Sequence, residues 1–479
     1  MATVDPGIFK AYDVRGIYGG ELDAGGAELI GRAFTRVIGQ MESKAPADLR
    51  LGLGRDMRLT APEMAAAYAK GMAAEGAHVL DAGMVGTEML YHLVGTRDLD
   101  GGIMCTASHN PRAYTGAKLI RRGALALSGD EGIGDVKEIV SGLQHGGDGA
   151  PGICPGGPTL ATTSAAKVTP TSGGTVEQVS IYDSFHEEVS KFIDAGAVLP
   201  LKVVVDGGNG MAGPMVGPLL ERLGLQLEEA YWQPNGEFPD HEPNPLLPKN
   251  REFIMSEVMR RDADLGIAWD GDADRCFFID DTGQFVDGDF LTALLSESLL
   301  RKYPRATILY DVRASRAVAD VVQSGGGTAL INRVGHAFFK KRMREQNAVF
   351  GGEVSGHYYF RDFHCADSGT IPALLILEEL SRTGKTMSEL LVRFRSKYFI
   401  SGEINSTVDD QHAKIETIAE RYSDARQSRL DGISIDYDDW HFNVRASNTE
   451  PLLRLCLESL VSVPDMEAKR DEVLGLIRS

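Results

Sequence analysis

One local pattern occurs three times in this chain: an apolar run ending in aspartate, a polar loop, a helix, a glycine and a second apolar run. Leu49 to Val85 holds the first copy. Arg50-Leu51-Gly52-Leu53-Gly54-Arg55-Asp56 alternates as a strand does, and Thr60-Ala61-Pro62-Glu63 has the form of a capping box with proline in the first turn. The helix is predicted to run to about Gly76, and His78-Val79-Leu80-Asp81 begins the next strand, where His78 reads as a strand-surface histidine. The second copy starts at Lys202-Val203-Val204-Val205-Asp206, passes through Gly207-Gly208-Asn209-Gly210 to a helix ending near Gly224, and returns as a strand over Leu225 to Tyr231. The third starts at Thr307-Ile308-Leu309-Tyr310-Asp311 and closes with a strand from Thr328 to Ile331. Strands alternating with helices predict units of α/β build. Copies more than 100 residues apart predict separate domains of related build rather than a solenoid.

The chain has room for this. It has 479 residues, 43% hydrophobic and 24% charged, which is ordinary globular composition. A formal net charge of −19 argues against nucleic acid or an anionic membrane as partner. An anionic small molecule must then be drawn in by local Arg and Lys. The five cysteines (105, 154, 276, 365 and 456) are dispersed, as reduced thiols are. The start, Met1-Ala2-Thr3-Val4-Asp5-Pro6, does not have the form of a signal peptide, and no apolar run approaches the roughly 20 residues of a membrane span. A cytoplasmic protein is expected.

Two polar clusters carry the chemistry. Thr106-Ala107-Ser108-His109-Asn110-Pro111 follows the apolar run Gly101-Gly102-Ile103-Met104-Cys105, and Pro111 steers Asn110 away from helix. The hexapeptide therefore reads as a loop at a strand end, presenting a hydroxyl beside His109. Far along the chain stands Asp270-Gly271-Asp272-Ala273-Asp274-Arg275. In an extended backbone, residues at i, i+2 and i+4 share a side, so the three carboxylates are expected to converge. A divalent cation relieves their repulsion, and all-oxygen ligands favour Mg²⁺ over Zn²⁺. The cluster is not an EF-hand, because positions 6 and 12 of such a loop would be Arg275 and Asp281. The glycines after Asp206 match neither nucleotide-loop spacing and read as a tight turn.

Together these stretches resemble the α-D-phosphohexomutases, the phosphomannomutase/phosphoglucomutase family, and further motifs follow in the family's order along nearly the whole chain. The resemblance implies an α/β fold: three related α/β domains with mixed sheets plus a smaller α+β C-terminal domain, around a central cleft. The expected boundaries are 1–150 with the phosphoserine loop, 151–180 as a Gly/Pro/Ser/Thr-rich loop, 181–288 with the metal loop, 289–396 with the sugar loop, and 397–479 with a phosphate loop. It implies phosphorylation of Ser108, with Ser108, Asp270, Asp272 and Asp274 holding Mg²⁺. His109, Lys118, Arg15, Arg275, His336 and His357 are the other catalytic candidates, with the general base left open among Lys118, His357 and Arg15.

Substrate binding is expected at Tyr12, within Phe9-Lys10-Ala11-Tyr12-Asp13-Val14-Arg15-Gly16, and at Arg313. It is also expected at Glu353 and Ser355 of Gly352-Glu353-Val354-Ser355-Gly356-His357. In an extended loop those two would share a side and bridge adjacent sugar hydroxyls. Arg445, Ser447, Asn448 and Thr449 resemble the family's phosphate cradle, a guanidinium with hydroxyls and an amide. The segment Tyr358 to Asp362 with Ala366 to Gly369 is similar to phosphomannomutase-type members. The implied reaction converts hexose 6-phosphate to hexose 1-phosphate through a hexose 1,6-bisphosphate, with glucose 1,6-bisphosphate as activator. The protein is expected to be a monomer or homodimer. A phosphoglucosamine mutase is the nearest alternative within the family, and a metal-dependent sugar phosphatase the alternative outside it.

Overall fold

Each repeated unit becomes the parallel heart of its own sheet. The computed structural model describes residues 2–129, 131–145, 173–447 and 451–479. In the first sheet the strand order is Val14–Ile17, Tyr114–Arg121, Gly101–Cys105, Arg50–Arg55, His78–Met84 and Val176–Gln178, with Leu125–Ala126 beside Tyr114–Arg121. The strands from Gly101–Cys105 outward to Val176–Gln178 run parallel, and the other pairings are antiparallel. The second sheet is ordered Cys276–Ile279, Leu265–Trp269, Lys202–Asp206, Gln226–Ala230. The third is ordered Thr328–Asn332, Thr307–Asp311, Phe350–Gly352, Tyr358–Phe360, Ala366–Asp367. Both are mixed. The fourth, Phe399–Thr407, Leu452–Ser459, Trp440–Ala446, Ile433–Asp436 and Arg426–Ser428, is antiparallel throughout.

The central strands of the first two sheets are apolar on both faces because helices cover both sides. Gly101–Cys105 and Leu265–Trp269 are buried along their whole length. Arg50–Arg55 is buried at four consecutive positions, so the alternation expected there gives way to two-sided burial. On one side of the first sheet the helices Ala24–Glu42 and Ala61–Ala74 meet backbone to backbone. A Cβ at Gly71 would stand 2.1 Å from Glu28 O, so only glycine permits this approach. One large apolar core then runs through the first three units, with Leu90, Met215, Trp269, Phe290 and Leu375 among its members. The antiparallel unit keeps a core of its own around Trp440 and Phe442.

Four further expectations about local structure need correcting. Thr60 does not cap the helix Ala61–Ala74: its backbone is already αR and its hydroxyl makes no cap bond. Glu63 instead accepts from Tyr18 Oη at 2.7 Å, a tertiary partner that outcompetes the local one. The stretch 151–180 is not loop throughout. Val176–Gln178 supplies the edge of the first sheet, pairing with the otherwise bare side of His78–Met84. Finally, neither the acidic cluster nor the Glu353 loop is extended, as described below.

Candidate active site

Ser108, Asp270, Asp272, Asp274, Arg313 and Glu353 come from loops that leave the carboxyl ends of strands, where open α/β sheets present ligand sites, whereas Arg15, Lys118 and Arg445 stand within strands. Asp56, Asp206 and Asp311, each at such an end, accept the N–H two residues on, from Arg58, Gly208 and Arg313 at 3.0, 2.9 and 2.7 Å. Each of these short loops therefore turns sharply at its strand end. After Asp206 the turn is as tight as its glycines predict, with Gly210 N donating to Gly207 O at 2.7 Å.

Ser108 follows Gly101–Cys105 and sits in left-handed backbone, φ +49°. Its N–H is held by Thr106 Oγ1 at 2.8 Å. Its Oγ donates to Asp270 Oδ2 at 3.0 Å and lies 3.2 Å from His109 Nδ1. The acidic cluster follows Leu265–Trp269 as a turn: Ala273 has φ +59° and its N–H returns to Asp270 O at 3.1 Å. The three carboxylates therefore converge because the chain folds back, not by strand alternation. Oxygens of Asp270, Asp272 and Asp274 lie within 4.8 Å of one another.

Cations surround this trio. Lys118 Nζ donates to Asp272 Oδ2 at 2.6 Å and also to Asp274, and Arg275 Nε donates to Asp270 Oδ2 at 2.8 Å. Burial alone would lower the Lys118 ammonium, but Asp272 and Asp274 lift it above its usual value. Burial opposes charge on Asp272 as well, yet Lys118 outweighs it and holds that carboxyl well down. Burial raises Asp274, and the charge of Asp272 adds to it. Asp272 Oδ1 and Asp274 Oδ1 are buried without a hydrogen-bond partner, the arrangement a hard divalent cation satisfies.

A cavity of about 120 Å³ opens beside Ser108, lined by Tyr12, Asp13, Arg15, Tyr91, His109, Lys118, Asp274, Arg275, His336, His357 and Asp367. Arg15 Nη1 donates to Ala107 O at 3.2 Å and to Asn110 Oδ1, and its Nε holds Asp13 at 2.7 Å. The Tyr12 ring meets His336 edge-on at 5.2 Å. Burial, then the Lys340 charge, pushes His336 down to about 4. Burial and the Arg275 charge push His109 and His357 down too, so all three imidazoles are neutral at neutral pH.

The Glu353 loop is a turn, with Glu353 N donating to His357 O at 2.9 Å and Gly356 at φ +88°. Glu353 therefore does not face outward with Ser355. Its carboxylate is buried, accepting from Gly335 N at 2.7 Å and Tyr359 Oη at 2.5 Å, while Ser355 Oγ lies 3.2 Å from His357 Nδ1. Burial, then Asp311, raises Glu353 to about 7.

Arg313 and Arg445 gather elsewhere, around Glu403. Arg313 Nη1, Arg445 Nη2 and Arg454 Nη1 reach its carboxylate at 3.1, 3.2 and 3.3 Å. Ser447 stands at the end of Trp440–Ala446, its N–H bonded to Leu452 O at 2.8 Å. Asn448 and Thr449 lie outside the described residues. Of the groups the sequence left out, Asp13 and Asp367 fall inside motifs already singled out. Thr87, which donates to Asp272, and Tyr91 and Glu403 carry no sequence signal.

Four family models cover most of the chain: phosphoglucomutase/phosphomannomutase alpha/beta/alpha domain I over residues 6–142, domain II over 183–283, domain III over 287–398, and the C-terminal domain over 403–475. A phosphomannomutase of Salmonella montevideo is 41% identical over 478 residues, 98% of this chain and 99% of the relative. A phosphoglucomutase/phosphomannomutase family protein of Burkholderia thailandensis superposes with a TM-score of 0.85 at 30% identity, covering 99% of this chain and 98% of the other. An Aspergillus fumigatus N-acetylphosphoglucosamine mutase, solved with GlcNAc-6P and magnesium, shares the fold at TM-score 0.52 and 15% identity, covering 90% and 77%. Fold and site define an isomerase that moves phosphate within a hexose phosphate. The chain belongs to the phosphoglucomutase/phosphomannomutase family.

Proposed function

We propose that this chain interconverts hexose 6-phosphate and hexose 1-phosphate by passing a phosphoryl group through Ser108. The Oγ of phosphorylated Ser108 releases its phosphoryl group to the free hydroxyl of the bound sugar, the O–P bond to serine breaking as the O–P bond to the sugar forms. The resulting 1,6-bisphosphate turns over in the cleft and returns its other phosphate to Ser108. Phosphoryl transfer asks for positioning and charge rather than covalent help. Asp270, Asp272 and Asp274, with Ser108 beside them, would hold Mg²⁺, which when bound offsets negative charge at the reacting group. Lys118, Arg15 and Arg275 supply the remaining positive charge around the cavity.

His357 lines the same cavity, and its neutral imidazole is able to accept the sugar hydroxyl's proton. Arg313 and Arg445 would hold the phosphate that is not reacting. Glucose 1,6-bisphosphate would restore phosphoserine whenever the intermediate escapes. What carries the reading is Ser108 Oγ, 3.0 Å from a carboxylate of the acidic trio and open to the cavity.

The test is Ser108→Ala assayed with mannose, glucose and glucosamine phosphates, Mg²⁺ and a trace of bisphosphate. Mutase turnover surviving the substitution would reject the role of Ser108. Steady release of inorganic phosphate by the wild type would point to a phosphatase instead.

A further inference from the structure

Behind the Ser108 loop lies a guanidinium the reaction scheme does not use. Arg58 is 2% exposed. Its Nη2 donates to Ser108 O at 2.7 Å and Asn110 O at 2.6 Å, and its Nη1 to Pro111 O at 3.0 Å and Tyr114 O at 3.2 Å. Asp56 pairs with its Nε at 3.3 Å, and the Phe238 ring, from the second unit, covers the group at 5.3 Å. The same Asp56 accepts from Thr106 Oγ1 at 2.7 Å, and Thr106 Oγ1 holds the Ser108 N–H. Both ends of the serine residue are thus tied to one buried ion pair.

The repeat shows what is particular here. Arg58 stands two residues after Asp56 as Arg313 stands two after Asp311, and each guanidinium is ion-paired with its aspartate. Arg313 reaches across to Glu403. Arg58 spends its donors on backbone carbonyls of the loop that carries Ser108. A carbonyl and the N–H of the same trans peptide point opposite ways. With Ser108 O drawn to Arg58, the His109 N–H is turned away from it, and it has no acceptor among the described residues.

We infer that Arg58 is a positioning residue for the phosphoryl-carrying serine: it holds Ser108 in left-handed backbone, with its side chain directed at the acidic trio, through both the phosphorylated and the free state. This rests on Ser108 being the phosphoryl carrier. A loop that shifts its serine by about 1 Å loses about 100-fold in rate without losing its substrate.

The experiment compares wild type, Arg58→Lys and Arg58→Gln for kcat, KM, phosphate taken up on Ser108 from glucose 1,6-bisphosphate by intact mass, and fold by circular dichroism. Lysine keeps the charge but not the fork of donors. The expected result is a fall of about 100-fold in kcat and in the rate of Ser108 phosphorylation for Arg58→Lys, with KM changed by less than about threefold and the wild-type spectrum retained. A folded Arg58→Lys within about threefold of wild-type kcat overturns the inference alone. A wild type that takes up no phosphate on Ser108 overturns the proposed function, and the inference with it. Should neither variant fold, Thr106→Val cuts the same chain of bonds nearer to Ser108. The same selective loss of kcat is then expected, and wild-type kcat in that variant overturns the inference.

Discussion

Ser108 Oγ and Asp270 Oδ2 stand 3.0 Å apart although 162 residues separate them. The contact joins the first unit to the second at the carboxyl ends of both sheets. Because Lys118 and Arg275 flank the trio, the site holds three carboxylates against two cations, an imbalance that a divalent ion more than corrects.

Mg²⁺ should therefore stabilise the folded protein by mass action, by about 2.7 kcal/mol at a hundredfold excess over its Kd. Thermal unfolding with and without the ion measures this. Asp272→Asn should lose most of the increment. An increment of equal size in the variant would place the ion elsewhere.

Glu88 gives a pH dependence of stability. It is fully buried, bonded by the hydroxyls of Ser368 and Thr370, and burial lifts it from 4.5 to about 8. Between those values the folded state holds a proton that the unfolded state has released. This contribution is therefore present at low pH and declines by about 1.4 kcal/mol per pH unit as pH rises toward 8. Denaturation of Glu88→Gln across that range should show a flatter profile than wild type, and parallel profiles would contradict the assignment.

Glu353 should be read in the activity instead. If its carboxylate must be ionised to order the loop it anchors, kcat/KM falls as pH drops through about 7, the value to which burial raises it. Glu353→Gln should lower kcat/KM and remove that limb of the profile. A limb that persists in the variant belongs to another group.

Glu403 holds three arginines, two of which, Arg445 and Arg454, are directly opposed across neighbouring strands. Like charges so placed repel unless something lies between them. Glu403→Gln should cost about 1–3 kcal/mol in denaturant unfolding and loosen the tie that Arg313 makes between the third sheet and the fourth. A larger radius of gyration by small-angle scattering would report the loosening. No change in either quantity would mean that the carboxylate is not what holds the two units together.

Much of this architecture was legible before folding. Lys202–Asp206 and Thr307–Asp311 announce themselves because burial on both faces of a parallel strand demands an unbroken apolar run, and each terminal aspartate caps a loop only two residues away. Where the partner was distant, local reading went astray. Thr60-Ala61-Pro62-Glu63 has every residue of a capping box, but Glu63 is taken by Tyr18, 45 residues earlier. Asp270 to Asp274 and Glu353 to His357 have spacings that suit extended chain, but positive φ at Ala273 and Gly356 folds both into turns.

The order of residues by itself determined the strands and the strand-end loops, since these depend on hydrophobic runs and on bonds spanning a few positions. Tertiary structure alone decided that Glu403 would gather Arg313, Arg445 and Arg454, that Arg58 would turn inward to the serine loop, and that Glu88 would be buried against Ser368. Those outcomes depend on how whole units pack on one another, and packing between surfaces hundreds of residues apart leaves no periodic trace in the chain.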